Sequence, residues 1–543
     1  MKRISPIIPA LVALATSPMN AEIFLGVPTE YLSAGEASSA LTTLKEDRDL
    51  KKAGAALSAL QNDGDPDAAF ILGVWSEAGI GTKKNPQQAL ALYKKAADAG
   101  HLAATNNYGF LLAGLSNGDE ARLKEAAIAV KKAMDGGNKI ATRNYAKFVL
   151  NGIGLEASDP AAAAKILEDA LAAGDGDAGV DLSLLYSRDN RFGPDTTKAL
   201  SYLEKAADLG SISALQSLGQ IYLGGNKEIE KNPTKAMGYF QRGADINDPV
   251  SINHLGDMHL RGTGVEANPA KAHELYTKSA AAGSPQAQFA IAEMTEKGVG
   301  TTADPAAAIA LYEKAAANGE ARAMHHLGFL YEKGQGVTED VAKALDYYRK
   351  AAGSGLAIAQ YNVGVFYETG RSVDKDPNKA FQYFLAAAKQ GFAVAMDKVG
   401  LYYLNGAGVA VDPVAARAWV QNAAQAGSIP ATSRLATMAE QGIGGPQDLR
   451  GAAELFSRAA DRGHGPATLK LASYYANGTG VEQDLVKAYV LSGAVREASP
   501  QGAQLQDAIK AKLSPEQLAE GDSTIADLMK KAADARAKAG AAK

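Results

Sequence analysis

Seven glycines stand 36 residues apart in this chain, at Gly262, Gly298, Gly334, Gly370, Gly406, Gly442 and Gly478. A second series, Gly283, Gly319, Gly355, Gly391, Gly427 and Gly463, keeps the same interval, and Gly210, Gly174, Gly137, Gly100 and Gly64 continue it upstream at 36 or 37. Asn247 replaces glycine at one step, and asparagine is the next residue best able to take a left-handed backbone at a helix end. A constant interval of this length marks a solenoid, in which each unit buries its apolar face only against its neighbours. Two glycine series per period leave room for two helices, and about twelve such pairs fit between Pro66 and Ser499.

The start of each second helix is written clearly. Asn85-Pro86, Asp159-Pro160, Asn232-Pro233, Asn268-Pro269, Asp304-Pro305, Asp376-Pro377 and Asp412-Pro413 put a capping side chain before proline, whose missing donor would be unpaired at the first helical position anyway. A bulky register follows at Tyr93, Tyr276, Tyr312, Tyr348, Phe384 and Phe456. In the first helices, Ala323, Leu327 and Tyr331 lie at i, i+4 and i+8 and form one buried stripe. Gly328 costs roughly 1 kcal/mol against Ala inside a helix. Its return as Gly219, Gly256, Gly364 and Gly400 predicts a helix crossing too close for a methyl group.

Taken together, Ala-x-Ala-x-x-x-Leu-Gly-x-x-Tyr-x-x-Gly-x-Gly-Val, then Asp, Lys-Ala, an aromatic and Lys-Ala-Ala-x-x-Gly, resembles the Sel1-like repeat. That repeat is a relative of the tetratricopeptide repeat. Residues 321–355 carry the best copy, and the resemblance covers about four fifths of the chain. Between about Asn106 and Asn226 it is looser, with Ser116-Asn-Gly118 and Arg188-Asp-Asn-Arg-Phe192 in place of the Gly-x-Gly turn. The resemblance implies an all-α fold, an α/α solenoid of about twelve 36-residue Sel1-like helix-turn-helix repeats with a C-terminal capping helix. It also implies an adaptor that assembles other proteins.

The ends divide the chain further. Lys2 and Arg3, the apolar run Ile7 to Ala15 and the small residues after it read as a signal peptide over 1–21, cleaved after Ala15 or Ala21. Residues 22–64 are expected to be an irregular lead-in with a half-repeat at Leu57–Leu60, and 65–499 the solenoid. Residues 500–543 hold capping helices and, from Ala532, a frayed tail. In the capping region Leu505, Ile509 and Leu513 mark one helix, and Ser514-Pro515-Glu516-Gln517 starts another. A net charge of −4 leaves no basic footprint for nucleic acid, and nothing beyond the N-terminus approaches a membrane span. With no cysteine there are no disulfides or thiolate metal sites. The expected location is periplasmic or secreted, with the cytoplasm as the alternative.

Catalytic motifs are absent, so no enzyme, metal or cofactor is expected. The Gly-x-Gly pairs sit between helices without a preceding strand, and His325 and His326 diverge by about 100° on one helix. What remains is the surface. Opposite the Ala323–Leu327–Tyr331 stripe lie His325, Phe329 and Glu332. The register of His325 repeats as Phe70, Phe289, Tyr361 and Asp397, and that of Glu332 as Glu77, Glu296, Glu368 and Glu440. In tetratricopeptide arrays first helices line the concave side, so these residues predict exposed aromatics beside a carboxylate ladder. Such a face suits a basic and apolar protein or peptide partner. The leading expectation is an exported interaction scaffold. A cell-wall (peptidoglycan or glycan) receptor is the alternative, and a hydrolase using groove carboxylates ranks third.

Overall fold

The computed structural model describes residues 32, 35–47, 49–189 and 191–541, so the signal segment expected over 1–21 lies outside the described residues. Among the described residues there are 28 helices and no strand. From Pro66 to Ala494 they form twelve successive pairs, most helices being 13 residues long. The chain divides into two units, residues 1–323 and 324–543, with the boundary inside the helix Ala321–Lys333. Within each unit a first helix packs on its own second helix, and that second helix packs on the first helix of the next repeat, the arrangement of an α/α solenoid.

The local chemistry works as the residues predict. Asn85 accepts from the amide of Gln88 at 3.1 Å and Asp304 from that of Ala307 at 2.9 Å, each ahead of a first-turn proline. Asp195, Asp340, Asp448 and Asp484 cap second helices without that proline. At the other end, Gly100 and His101 donate to the carbonyls of Ala97 and Ala96, both at 3.0 Å, and so satisfy orphan acceptors. Asn247 does the same work at φ 60°.

The two conspicuous registers, small in the first helix and bulky in the second, turn out to be one contact. A Cβ placed at Gly328 would lie 2.7 Å from the ring of Tyr348, and one at Gly256 would lie 2.7 Å from Tyr276. Gly364 meets Phe384 at 2.6 Å and Gly400 meets Val420 at 2.5 Å. The rings are fully enclosed, with Tyr312 and Phe384 at 0 % exposure, and each such burial stabilises by about 2–3 kcal/mol. In the Gly-x-Gly turn the second glycine makes the junction between repeats. Gly264, at φ 76°, approaches the preceding second helix so closely that a Cβ would lie 2.9 Å from the carbonyl carbon of Pro233.

The ends differ from expectation. The lead-in is not irregular over its length: Glu36–Asp47 and Leu50–Asn62 are helices. Ala37, Leu41 and Leu44 of the first, with Ala53 and Leu57 of the second, are buried at helical spacing, so a full helix pair covers the first repeat instead of a half-repeat. At the C-terminus, Pro500–Lys510 is followed by Pro515–Ala541. Ser514 and Gln517 close a reciprocal capping box: the amide of Ser514 donates to Gln517 Oε1 at 3.0 Å, and the amide of Gln517 to Ser514 Oγ at 3.2 Å. That last helix continues through the segment expected to fray, as its Ala, Lys and Arg content favours.

Candidate partner-binding surface

The first helices carry the candidate residues, and their placement corrects the expected face. Phe70 and Phe289 are buried, at 3 % and 8 % exposure. The ring of Phe70 lies 4.4 Å from that of His101, and Phe289 lies 5.6 Å from Tyr312 with the Arg322 guanidinium 4.8 Å above it. Tyr361 is half-buried between Phe384 and Phe392, at 5.4 and 5.6 Å. His325 is half-buried against Tyr348 and meets the Asn362 amide at 3.1 Å, and burial holds its pKa below the ordinary imidazole value. Asp397, in the same register, pairs with Arg434 of the following repeat at 2.8 Å. This register faces the junction with the next repeat. A first helix has neighbours on two sides as well as beneath it, so the side opposite its most buried stripe is not automatically free.

The carboxylate ladder is likewise engaged. Tyr93 donates to Glu77 at 2.8 Å, Tyr312 to Glu296 at 2.7 Å and Tyr348 to Glu332 at 2.9 Å. Arg371 adds a second donor to Glu332 at 2.5 Å. Where the second helix carries Phe384 in place of tyrosine, the phenol comes from the following first helix. There Tyr402 donates to Glu368 at 3.2 Å, and Lys398 pairs with it at 2.8 Å. Glu440 pairs with Lys470 at 3.2 Å, and Tyr276, lacking a glutamate in that register, finds Asp257 at 2.6 Å. Burial first, and the carboxylate beside it second, raise the phenol pKa values of Tyr312 and Tyr348 well above the ordinary range, so these phenols are donors. Burial also raises the pKa of Glu77, while the Tyr93 bond and Lys84 oppose it. The ladder fastens first helices to second ones and, at Glu368 and Glu440, to the first helix of the next repeat.

Of the ten candidates, Phe329 stands out most, at 36 % exposure. The exposed edge includes Phe329 and, in a register offset from it, Ile358 and Val394, at 40 % and 48 %. In the first unit Leu184, Ile212 and Val250 are exposed at 45 %, 43 % and 41 %. Ile358 and Val394 lie 36 residues apart, a repetition readable from the chain but not singled out in advance. The second unit thus presents aliphatic and aromatic side chains among ion pairs that link one repeat to the next.

His101, His254 and His464 serve the fold. Nδ1 of His101 and of His464 accepts from the amides of Ala104 and Ala467, at 3.1 and 3.3 Å, and caps those helices. His254 packs on Phe240 with ring centroids 4.5 Å apart. Among the described residues no three His, Cys, Asp or Glu side chains group as metal ligands, and no helix is long and apolar enough to cross a membrane.

No curated protein matches this chain. Among solved structures it is similar to c5321 of uropathogenic Escherichia coli, described as a protective antigen displaying an SLR fold. The identity is 26 %, the TM-score is 0.50, and 90 % of this chain and 97 % of that one are covered. A Sel1 repeat protein from Oxalobacter formigenes is 30 % identical over 46 % of this chain and 99 % of its own, with a TM-score of 0.41. The Sel1 repeat profile matches residues 66–101, 140–175, 182–211, 212–248, 249–284, 285–320, 321–356, 357–392, 393–428, 429–464 and 465–491. The longest internal stretch it passes over, 102–139, still folds as the helix pair Leu102–Leu115 and Glu120–Asp135. With the repeat profile over more than half of its length and the glycine, cap and ring registers all in place, the chain belongs to the Sel1 repeat family.

Proposed function

We propose that the protein is an exported interaction scaffold that holds a partner protein on the exposed edge of its first helices. The family supports the coarse reading, since Sel1 repeat solenoids are generally protein-interaction scaffolds without catalytic activity. The observation that carries the finer one is the exposure of Phe329, Ile358 and Val394 beside carboxylates whose acceptors are already hydrogen-bonded. Apolar side chains supply contact area, and the ion pairs around them form the polar rim of such an interface. Export rests on the charged start, apolar run and small-residue exit of residues 1–21. A related protein that is a protective antigen agrees with display outside the cytoplasm. The hydrolase alternative is weakened, because Glu332 and Glu368 each have two donors on them.

The test is capture from the cell-envelope fraction with the full chain and with a Phe329→Asp/Ile358→Asp/Val394→Asp variant. All three side chains are exposed, so helical content should hold while a co-purifying protein is lost. Equal capture by both would refute this face. Retention on purified cell wall, lost in the same variant, would instead favour the wall-receptor alternative.

A further inference from the structure

The junction between repeats closes where the second glycine of the turn enters it, as Gly264 does on Pro233. In two neighbouring repeats that glycine is missing. Arg191 stands 37 residues after Gly154, and Lys227 follows 36 residues later. Ser372, which replaces the same glycine in a later repeat, keeps its left-handed backbone at φ 60°, but Arg191 and Lys227 do not, and at both the turn takes another course. Arg191 reaches back to donate to the Leu150 carbonyl and pairs with Asp189 at 2.5 Å. The turn 225–232 has eight residues where 262–268 has seven. In it Asn226 Oδ1 accepts from the amides of Glu228 and Ile229, both at 2.8 Å, and Ile229 is tucked inward at 9 % exposure.

Two cavities open at these turns. One of about 550 Å³ is lined by Lys147, Leu150, Leu167, Asp181 and Leu185; the other, about 660 Å³, by Val180, Leu200, Leu203, Ile221 and Ile229. Leu184 and Arg188 line both, so the two make one groove across three repeats. Its acids are engaged: Asp181 with Lys147 at 3.3 Å, Asp189 with Arg191, and Glu228 as acceptor from Thr196. Its rim cations are not. Arg188 and Lys227 are exposed and make neither ion pair nor hydrogen bond among the described residues.

We propose that this groove binds an extended peptide segment bearing an aliphatic side chain next to a carboxylate. The aliphatic group lies along Leu184, Leu200 and Ile221, and the carboxylate lies between Arg188 and Lys227. The walls of both cavities hold no aromatic ring on which a sugar could stack, whereas aliphatic walls with a polar rim suit a peptide. Arg188 and Lys227, free of ion pairs where Asp181 and Asp189 have theirs, favour negative charge. The inference rests on the scaffold reading and adds a site in the first unit with a stated chemistry.

The experiment is fluorescence anisotropy with the full chain and a fluorescein-labelled Gly-Leu-Glu-Leu-Glu-Gly peptide. Controls are the same peptide with Lys for Glu and a labelled oligomannuronate as an acidic sugar. The acidic peptide should bind, more weakly at high salt, and Arg188→Glu/Lys227→Glu should weaken it by roughly tenfold or more. Leu184→Asp, also at an exposed position, should do the same, while circular dichroism stays unchanged. The Phe329→Asp/Ile358→Asp/Val394→Asp variant should bind the peptide as well as the wild type does. No binding up to about 1 mM, equal binding of the Lys peptide, indifference to charge reversal, or preference for the sugar would each overturn the proposal. If the groove fails while the Phe329 face still captures its partner, the scaffold reading stands and only the groove is lost.

Discussion

Moving one hydroxyl between two rings tests whether the carboxylate register is a structural device. Glu332, 17 % exposed, accepts from Tyr348 at 2.9 Å and from Arg371 at 2.5 Å. One repeat later Glu368 takes its phenol from Tyr402, because the second helix there carries Phe384. The ring pairs are otherwise alike: Tyr348–Phe366 and Phe384–Tyr402 both meet edge to face, with centroids 5.8 and 5.4 Å apart. Tyr348→Phe therefore removes one donor from a largely buried carboxylate. A hydrogen bond to a charged group contributes about 1.5–3 kcal/mol, and the remaining Arg371 donor places the loss at the low end, about 1.5 kcal/mol. Adding Phe366→Tyr should return the donor from the other side, as Tyr402 supplies it to Glu368. Hydrogen exchange in the helix Val341–Gly353 is the suitable assay, since a long repeat array need not unfold as one unit. Tyr348→Phe should lower its protection roughly tenfold, and the double variant should recover most of that, a coupling of about 1 kcal/mol in the cycle. A double variant as weak as Tyr348→Phe would refute the reasoning and return Glu332 to the list of groups available to a partner.

Gly328→Leu should destabilise the same helix pair by about 1–3 kcal/mol, read by the same exchange experiment, because the side chain would enter the ring of Tyr348. His464→Ala should cost about 1 kcal/mol through the lost cap on Ala467, visible as faster exchange at the start of Gly465–Asn477. The native phenols of Tyr276, Tyr312 and Tyr348 titrate above the unfolded value, so the native state binds more protons at alkaline pH and stability falls as pH rises beyond about 10. Ultraviolet titration should then show their phenolates appearing only with unfolding. His254 and His325, with pKa values lowered by burial, work in the opposite sense: the unfolded state binds more protons, and stability falls as pH drops below about 6.5. Denaturant midpoints at pH 7.5 and 5.5, compared with a His325→Asn variant, would check it.

The fold was readable because its instructions are local. A cap before proline, a left-handed residue at a helix end and a glycine facing a ring each act within one repeat, and repetition reports them many times over. The lead-in helix Glu36–Asp47 escaped notice for the same reason, since its stripe of Ala37, Leu41 and Leu44 lacks the glycine punctuation. The surface was less readable because exposure depends on neighbours that one helix does not encode. Reading the free side as the one opposite Ala323, Leu327 and Tyr331 found Phe329 but also took in registers that touch the next repeat. The glutamates were misread in kind. Glu77 and Glu296 each lie 16 residues before the tyrosine that donates to them, and Glu368, 16 before Phe384, obtains its phenol from Tyr402 instead. That compensation was present in the chain as a pairing between registers.

Regularity raises a difficulty that the breaks in period resolve. On a surface that repeats every 36 residues, a partner that fits one repeat fits the next nearly as well, and it can slide by a whole unit. Specific placement needs a feature that occurs once. Ile358 and Val394, equivalent in register, supply contact area without choosing between their repeats. Arg191 and Lys227 are different: Ser372 replaces the same glycine but keeps its left-handed backbone, whereas these two do not, and a groove opens beside them. Restoring glycine at Lys227 while deleting one residue of the eight-residue turn should close that groove and leave the helices on either side intact. Loss of acidic-peptide binding in that shortened chain, with the Phe329 face still active, would separate a site that sets register from one that only adds adhesion.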